Sequence, residues 1–253
     1  PDGIALRMVD ITKAFPGVVA NDRVTFEVCR GEVHALLGEN GAGKTTLMNI
    51  LYGLYQADSG EIYLYGKRVR IRSPRDAIRH KIGMVHQHFK LVARHTVAEN
   101  VALGLAGTPF LGPARAVEGK IVELGERYGL KVDPKAYIWQ LSAGEQQRVE
   151  IIKALVRGAD ILILDEPTSV LTPQEAEELF KILERMKEEG HSVIFITHKL
   201  DEVMAVADRV TVMRRGKVVA TLPTADVDKP TLAKMMVGRE VVFLSLTHLT
   251  LPT

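Results

Sequence analysis

The chain has 253 residues, 46% hydrophobic and 25% charged, enough for one large folded domain with a real core. Its net charge of +2 leaves no general electrostatic footprint for nucleic acid. The single cysteine, Cys29, excludes an intrachain disulfide, and no apolar run approaches the length of a membrane span. Residues 4–11 and 24–37 alternate apolar and polar side chains, as strands of an antiparallel sheet do. Within the second stretch, Cys29 beside Val28 is expected to be a small buried apolar residue. Glu32 to Leu37 reads as a short buried strand, and Thr46 to Leu51 as a helix. Glu61 to Val69 predicts a hairpin turning near Gly66-Lys67, and residues 82–86 predict another short strand. From Thr96 to about Leu155 the pattern turns helical, in segments at Val97–Leu103, Ala116–Tyr128 and Ala143–Leu155. Ile161–Leu164 and Val193–Ile196 are continuous apolar runs, expected of parallel strands buried on both faces. A helix is predicted between them from Pro173 to Glu189, with Leu179, Leu183 and Met186 on one face. Residues 209–221 predict a last hairpin around Arg214-Arg215-Gly216-Lys217. The final segment, Val241 to Thr253, carries no Asp, Glu, Lys or Arg and reads as a cloning scar or a truncated linker. The chain begins at Pro1 rather than Met, so its natural start is expected upstream.

The stretch Gly38-Glu39-Asn40-Gly41-Ala42-Gly43-Lys44-Thr45 matches G-x-x-x-x-G-K-[ST], and Thr46 opens the helix behind it. A polyphosphate needs several N–H donors converging on it, so the backbone must bend tightly and come close. Glycine permits both, and the start of a helix adds its positive end. Lys44 is placed to reach the β and γ phosphates, and the Thr45 hydroxyl to ligate Mg²⁺. A strand, the loop and a helix follow in the required order, which sets this apart from a chance glycine-rich turn.

The apolar run ending Leu164-Asp165-Glu166 supplies what a phosphate loop lacks. A carboxylate at the end of a strand beside the loop can hold the Mg²⁺ shell, the role expected of Asp165. Glu166 points elsewhere on the alternating chain and can polarise a water for in-line attack on the γ phosphate. Taken alone, the pair could equally cap a helix or solvate a loop. The phosphate loop upstream favours the catalytic reading.

Four further motifs follow the same chain order. Leu141-Ser142-Ala143-Gly144-Glu145-Gln146-Gln147-Arg148 is similar to the L-S-G-G-Q signature of ABC transporter ATPases. Gln87 matches that family's Q-loop, Asp165-Glu166-Pro167-Thr168-Ser169 its extended Walker B motif, and His198 its switch histidine. Phe15, 29 residues before Lys44, matches the aromatic that stacks on adenine. The chain therefore resembles an ABC transporter ATP-binding subunit over about residues 4–240. The resemblance implies an α/β fold: a P-loop NTPase core with a mixed or parallel central sheet, an antiparallel β subdomain and an inserted α-helical subdomain. The core together with the antiparallel β subdomain would take about residues 1–87 and 156–240, and the helical subdomain about 88–155.

The resemblance also implies roles. Leu141, Ser142, Ala143, Gly144 and Glu145 would meet the γ phosphate of ATP held by a facing domain, so that two ATPs are buried in a head-to-tail dimer. Gln87 would link Mg²⁺ and the attacking water to the helical subdomain, and His198 would orient the water or Glu166. Each has a plainer rival: Phe15 as a core aromatic, His198 as a satisfied core histidine, His86 and His88 as a metal pair lacking further ligands. The chain departs from the family pattern at Ala143, whose methyl would approach the phosphate. It departs at Glu145, whose charge would repel phosphate unless turned away. It departs again at Leu171-Thr172, where the family has Leu-Asp; Thr172-Pro173 also makes a helix start.

Phe15-Pro16-Gly17-Val18-Val19-Ala20-Asn21, Leu171-Thr172-Pro173-Gln174-Glu175 and Val237-Gly238-Arg239-Glu240 narrow the likeness to importers of simple sugars and nucleosides. In that group one polypeptide often carries two ATPase halves, and this chain resembles the first. The resemblance implies a peripheral protein at the cytoplasmic face of the membrane. Its partners would be a second ATPase domain, membrane-spanning permease subunits docked around His88 to Asn100 and, indirectly, an extracytoplasmic solute-binding protein. The competing readings are ABC-type ATPases acting on DNA or RNA. The former carry a long coiled-coil insertion; here 97 positions separate Thr45 from Ser142, without sustained heptads. The latter carry basic linkers, and none is visible.

Overall fold

Alternating apolar residues build a long antiparallel hairpin from β1 (Ile4–Phe15) and β2 (Val18–Cys29), whose inner face is Leu6, Met8, Ile11, Val24, Phe26 and Val28. The computed structural model describes residues 3–105 and 112–238. The expected strand 24–37 breaks at Arg30-Gly31, where Gly31 adopts φ +62°. Its second half, β3 (Val33–Leu37), is fully buried and belongs to a different sheet. Cys29 is not the buried apolar residue expected. It is half-buried, and the Arg209 guanidinium donates to its sulfur at 3.3 Å.

The chain then runs through α1 (Lys44–Leu51), β4 (Ser59–Leu64), β5 (Lys67–Val69), α2 (Pro74–Arg79) and β6 (Ile82–Val85). Helices α3 (Val97–Ala102), α4 (Pro113–Tyr128) and α5 (Ala143–Val156) follow. The last part comprises β7 (Ile161–Asp165), α6 (Pro173–Glu188), β8 (Ser192–Thr197), α7 (Leu200–Val206), β9 (Arg209–Arg214), β10 (Lys217–Pro223) and α8 (Lys229–Val237). Short helices α2 and α8 start where Ser73 and Asp228 cap them by accepting from backbone N–H groups. Arg239 and Glu240, and the segment from Val241 to Thr253, lie outside the described residues.

Two sheets form, the first antiparallel in the order β2-β1-β4-β5. The second has the order β10-β9-β3-β8-β7-β6 and is parallel except for its β9–β10 hairpin. The period of two sorts the central strands between two cores. Ile161, Ile163, Ile194 and Ile196 face α1 and the antiparallel sheet. Leu162, Leu164, Val193 and Phe195 face the core shared with α3, α4, α5 and α6.

Strands β3, β8, β7 and β6 are neighbours and parallel, so their carboxyl ends open side by side. In register, Leu37 lies beside Thr197, Ile196 beside Asp165, and Leu164 beside Val85. The segments leaving those ends carry the phosphate loop, His198, Glu166 and Gln87, on the edge where open α/β sheets bind ligands. No helix among the described residues is long and apolar enough to cross a membrane.

Candidate nucleotide site

The loop between β3 and α1 is shaped by contacts that exclude side chains. A Cβ on Gly43 would lie 2.2 Å from the Ala20 carbonyl oxygen, and its φ is +100°. A Cβ on Gly38 would lie 2.5 Å from the Met213 carbonyl oxygen. The side-chain amide of Asn21, fully buried, donates to the Gly43 carbonyl at 3.0 Å and braces the loop from β2.

This loop floors a cleft of about 500 Å³ lined by Asn40 to Thr46 with Phe15, Val18, Ala20, Gln87 and Glu166. Phe15 is half-buried on its rim, edge-on to Tyr55 at 5.4 Å between ring centroids, and is not a core residue. Lys44 is buried. Its ammonium donates to the carbonyls of Gly38 at 2.7 Å and Glu39 at 2.9 Å. Burial pulls its pKa down, against the raising pull of Glu166 and Asp165.

Glu166 follows β7 in the left-handed region at φ +45°, a conformation that side chains other than glycine adopt only when their surroundings enforce it. Its N–H donates to the Ile196 carbonyl at 3.0 Å, locking it to β8. One carboxylate oxygen lies 3.0 Å from His198 Nδ1, and the other accepts from Gln87 Nε2 at 3.3 Å. Three residues from three strand ends thus meet at the mouth of one cleft.

Asp165 is buried beside them, and its carboxyl is pushed up to about 6. Desolvation is the main cause and the Glu166 charge adds to it, while Lys44 and a hydrogen bond from Thr45 pull the other way. An aspartate and a threonine hydroxyl in contact, with excess negative charge around them, are hard oxygen donors suited to Mg²⁺. The folded state holds the proton between pH 3.8 and about 6 where the unfolded state has released it, so this group's contribution to stability falls as pH rises through that window. Asp165→Asn should therefore be more stable than the parent at pH 7 without metal, by a margin that shrinks towards pH 4. Melting temperatures across that range read it, and a margin independent of pH would refute it.

None of residues Leu141 to Glu145 lines this cleft. Ser142 caps α5 and its hydroxyl donates to Glu175 Oε1 at 3.1 Å, while Gly144 N–H donates to the same oxygen at 3.2 Å. The donors at the start of this 14-residue helix thus converge on a carboxylate supplied by α6.

A family model described as ABC transporter matches residues 21–169, more than half of the chain. The chain belongs to the ABC transporter family. It is 56% identical, over 94% of its length, to the glucose import ATP-binding protein TsgD13 of Haloferax volcanii. It is 54% identical, over 95% of its length, to the nucleoside import ATP-binding protein NupA of Lactococcus lactis. It spans about half the length of these curated relatives, 48% of each. A solved structure described as dimeric MJ0796, a bacterial ABC transporter cassette, superposes with a TM-score of 0.73 at 26% identity, covering 87% of this chain and 98% of that one.

The three departures from the ABC transporter pattern have structural explanations. Ala143 is the first residue of α5, where ordinary helical geometry suffices and no positive φ is required. Glu145 turns back to accept from the Ser142 N–H at 2.8 Å, closing a capping box. Thr172 caps α6, and Glu175 accepts from its N–H at 3.0 Å and its hydroxyl at 3.1 Å. Arg148 reaches beyond its own helix, to the Lys131 carbonyl at 3.4 Å and the Glu178 carboxylate. His86 packs edge-on against Tyr52 at 6.0 Å, and burial with the nearby Lys90 brings its pKa down to about 4.

Sequence reasoning missed Asn21 and the second engagement of Glu175. The available signal for Asn21 was an asparagine placed between two apolar strand stretches, Val18-Val19-Ala20 and Val24 to Val28. Glu175 stands three residues after Thr172, the spacing of a capping box, which hides any longer reach.

Proposed function

We propose that this chain is the ATP-hydrolysing domain of an importer for a simple sugar or nucleoside. The observation that carries the reading is the Glu166 carboxylate at the mouth of the phosphate cleft, with His198 on one oxygen and Gln87 on the other. The N–H groups from Gly41 to Thr46 cradle the phosphates, Phe15 meets the adenine, and Lys44 turns from its loop carbonyls to the β and γ oxygens. Thr45, Asp165 and Gln87 would hold Mg²⁺, which when bound would supply positive charge to offset that on the γ phosphate. Glu166 takes the proton of a water that attacks the γ phosphorus in line; ADP leaves and inorganic phosphate is formed. His198 fixes the Glu166 carboxylate, and Gln87 joins it to a helical subdomain of residues 88–155 inserted between core segments 1–87 and 156–240.

The signature donors of Leu141 to Glu145 lie away from the domain's own cleft, which supports their engaging ATP held by a second domain. That partner is a second copy or the other half of a tandem polypeptide. The likeness to import proteins for glucose and nucleosides supports the solute class, permease partners and a peripheral position at the cytoplasmic membrane face. An extracytoplasmic solute-binding protein would act through the permease. A groove between α2, β6 and α5, lined by Tyr52, Ile78, His86, Lys90, Lys153 and Arg157, is the proposed permease seat. It adjoins the expected region His88–Asn100 but takes only Lys90 from it.

Light scattering of the Glu166→Gln chain tests the reading. A monomer that becomes a dimer with MgATP, and not with MgADP, is the expected result. A chain that binds MgATP yet stays monomeric, alone and with the second half of a tandem relative, would refute the shared site.

A further inference from the structure

The Glu166–His198 contact joins two loops that leave different strands, and no covalent feature holds them together. Glu202, in the first turn of α7, stands where both loops can be gripped. It is a buried carboxylate outside the motifs described above. One oxygen accepts from the Thr168 hydroxyl and the other from the Thr197 hydroxyl at 2.8 Å. Lys199 completes the cluster, its ammonium 3.1 Å from Glu202 and donating to the Thr168 hydroxyl at 3.2 Å. The Lys199 N–H also donates to the Thr197 hydroxyl at 3.0 Å.

The positions matter more than the number of bonds. Thr197 and Lys199 flank His198 on either side. Thr168 sits inside the turn closed by the Ser169 N–H on the Glu166 carbonyl at 3.1 Å. The residues bound to Glu202 therefore flank His198 on both sides and sit two positions after Glu166, inside its turn. We propose that Glu202 is a positioning residue for hydrolysis: it clamps the loop after β8 to the turn after β7 and so holds His198 on Glu166. Buried, with both oxygens engaged and an ammonium beside it, this carboxylate resists rearrangement as an exposed ion pair does not. The proposal rests on the catalytic reading of Glu166 and His198.

The test compares Glu202→Ala with Glu202→Gln, which retains one acceptor oxygen. The alanine variant should lose about 100-fold in kcat, as small misplacements of reacting groups do, with KM for ATP unchanged. The glutamine variant should recover most of that loss. A second readout needs no turnover: the His198 imidazole proton resonance should respond to Glu166→Gln in the parent and not in the Glu202→Ala background. Should the alanine variant fail to fold, Thr168→Val, which keeps the shape and removes one donor, replaces it in both measurements. Parent-like kcat together with an intact His198 response would overturn the clamp. Normal turnover by Glu166→Gln alone would instead overturn the catalytic reading, and the His198 resonance would still decide whether Glu202 holds the pair.

Discussion

Glu166→Gln should keep MgATP binding and lower steady turnover by about 10²- to 10⁴-fold, the range of a lost general base. The substitution preserves shape and removes the charge that, in the proposed mechanism, takes the water's proton. In that mechanism the phosphates are held elsewhere, by the loop and by Lys44, so the ground state should lose little. A fall in kcat with unchanged nucleotide affinity is the signature of an interaction made only in the transition state. Phosphate release, paired with nucleotide titration by calorimetry, separates the two. Turnover within about threefold of the parent would remove Glu166 from the proton-transfer role, since a general base contributes far more than that.

Lys44→Ala should act on the other quantity and weaken nucleotide binding itself. Each charge-assisted hydrogen bond contributes about 1.5–3 kcal/mol, so affinity should fall by roughly 10²-fold or more. The same ammonium now satisfies the Gly38 and Glu39 carbonyls, so its loss also frees the loop from its own framework. Calorimetric titration alongside circular dichroism distinguishes a lost ligand contact from a lost fold. An unchanged dissociation constant would contradict the phosphate role. The pair of variants makes a crossed test: one spares binding and stops chemistry, the other removes binding first.

The tight turn of residues 38–45 was legible because glycine spacing encodes backbone geometry directly: a Cβ at Gly38 or Gly43 would meet a backbone carbonyl oxygen. Buried parallel strands were legible because two-sided burial leaves no polar alternation, as in β7 and β8. Helices α2, α7 and α8 were missed. They have six, seven and nine residues, and the segments before them, Ile71-Arg72-Ser73, Thr197-His198-Lys199 and Val227-Asp228, carry no helical period of their own. The alternation of residues 24–37 concealed a change of sheet, because a strand's own pattern does not say which neighbour it pairs with. Cys29 was misjudged because Arg209, 180 positions away, approaches its sulfur. At the candidate site, individual residues were readable, while the contacts among Gln87, Glu166 and His198 depend on strand order, which lies in the fold and not in any local spelling.

The donors at the start of α5 already hold a carboxylate, that of Glu175. Under the proposed arrangement, docking of a second domain is a substitution of one anion for another. A terminal phosphate carries more charge than a carboxylate and offers more acceptor oxygens, so it wins that exchange. A diphosphate that falls short of the site offers nothing to win with, and the internal carboxylate resumes its place. Under that arrangement, discrimination between spent and fresh nucleotide would have a threshold set by a competitor inside the fold, Glu175.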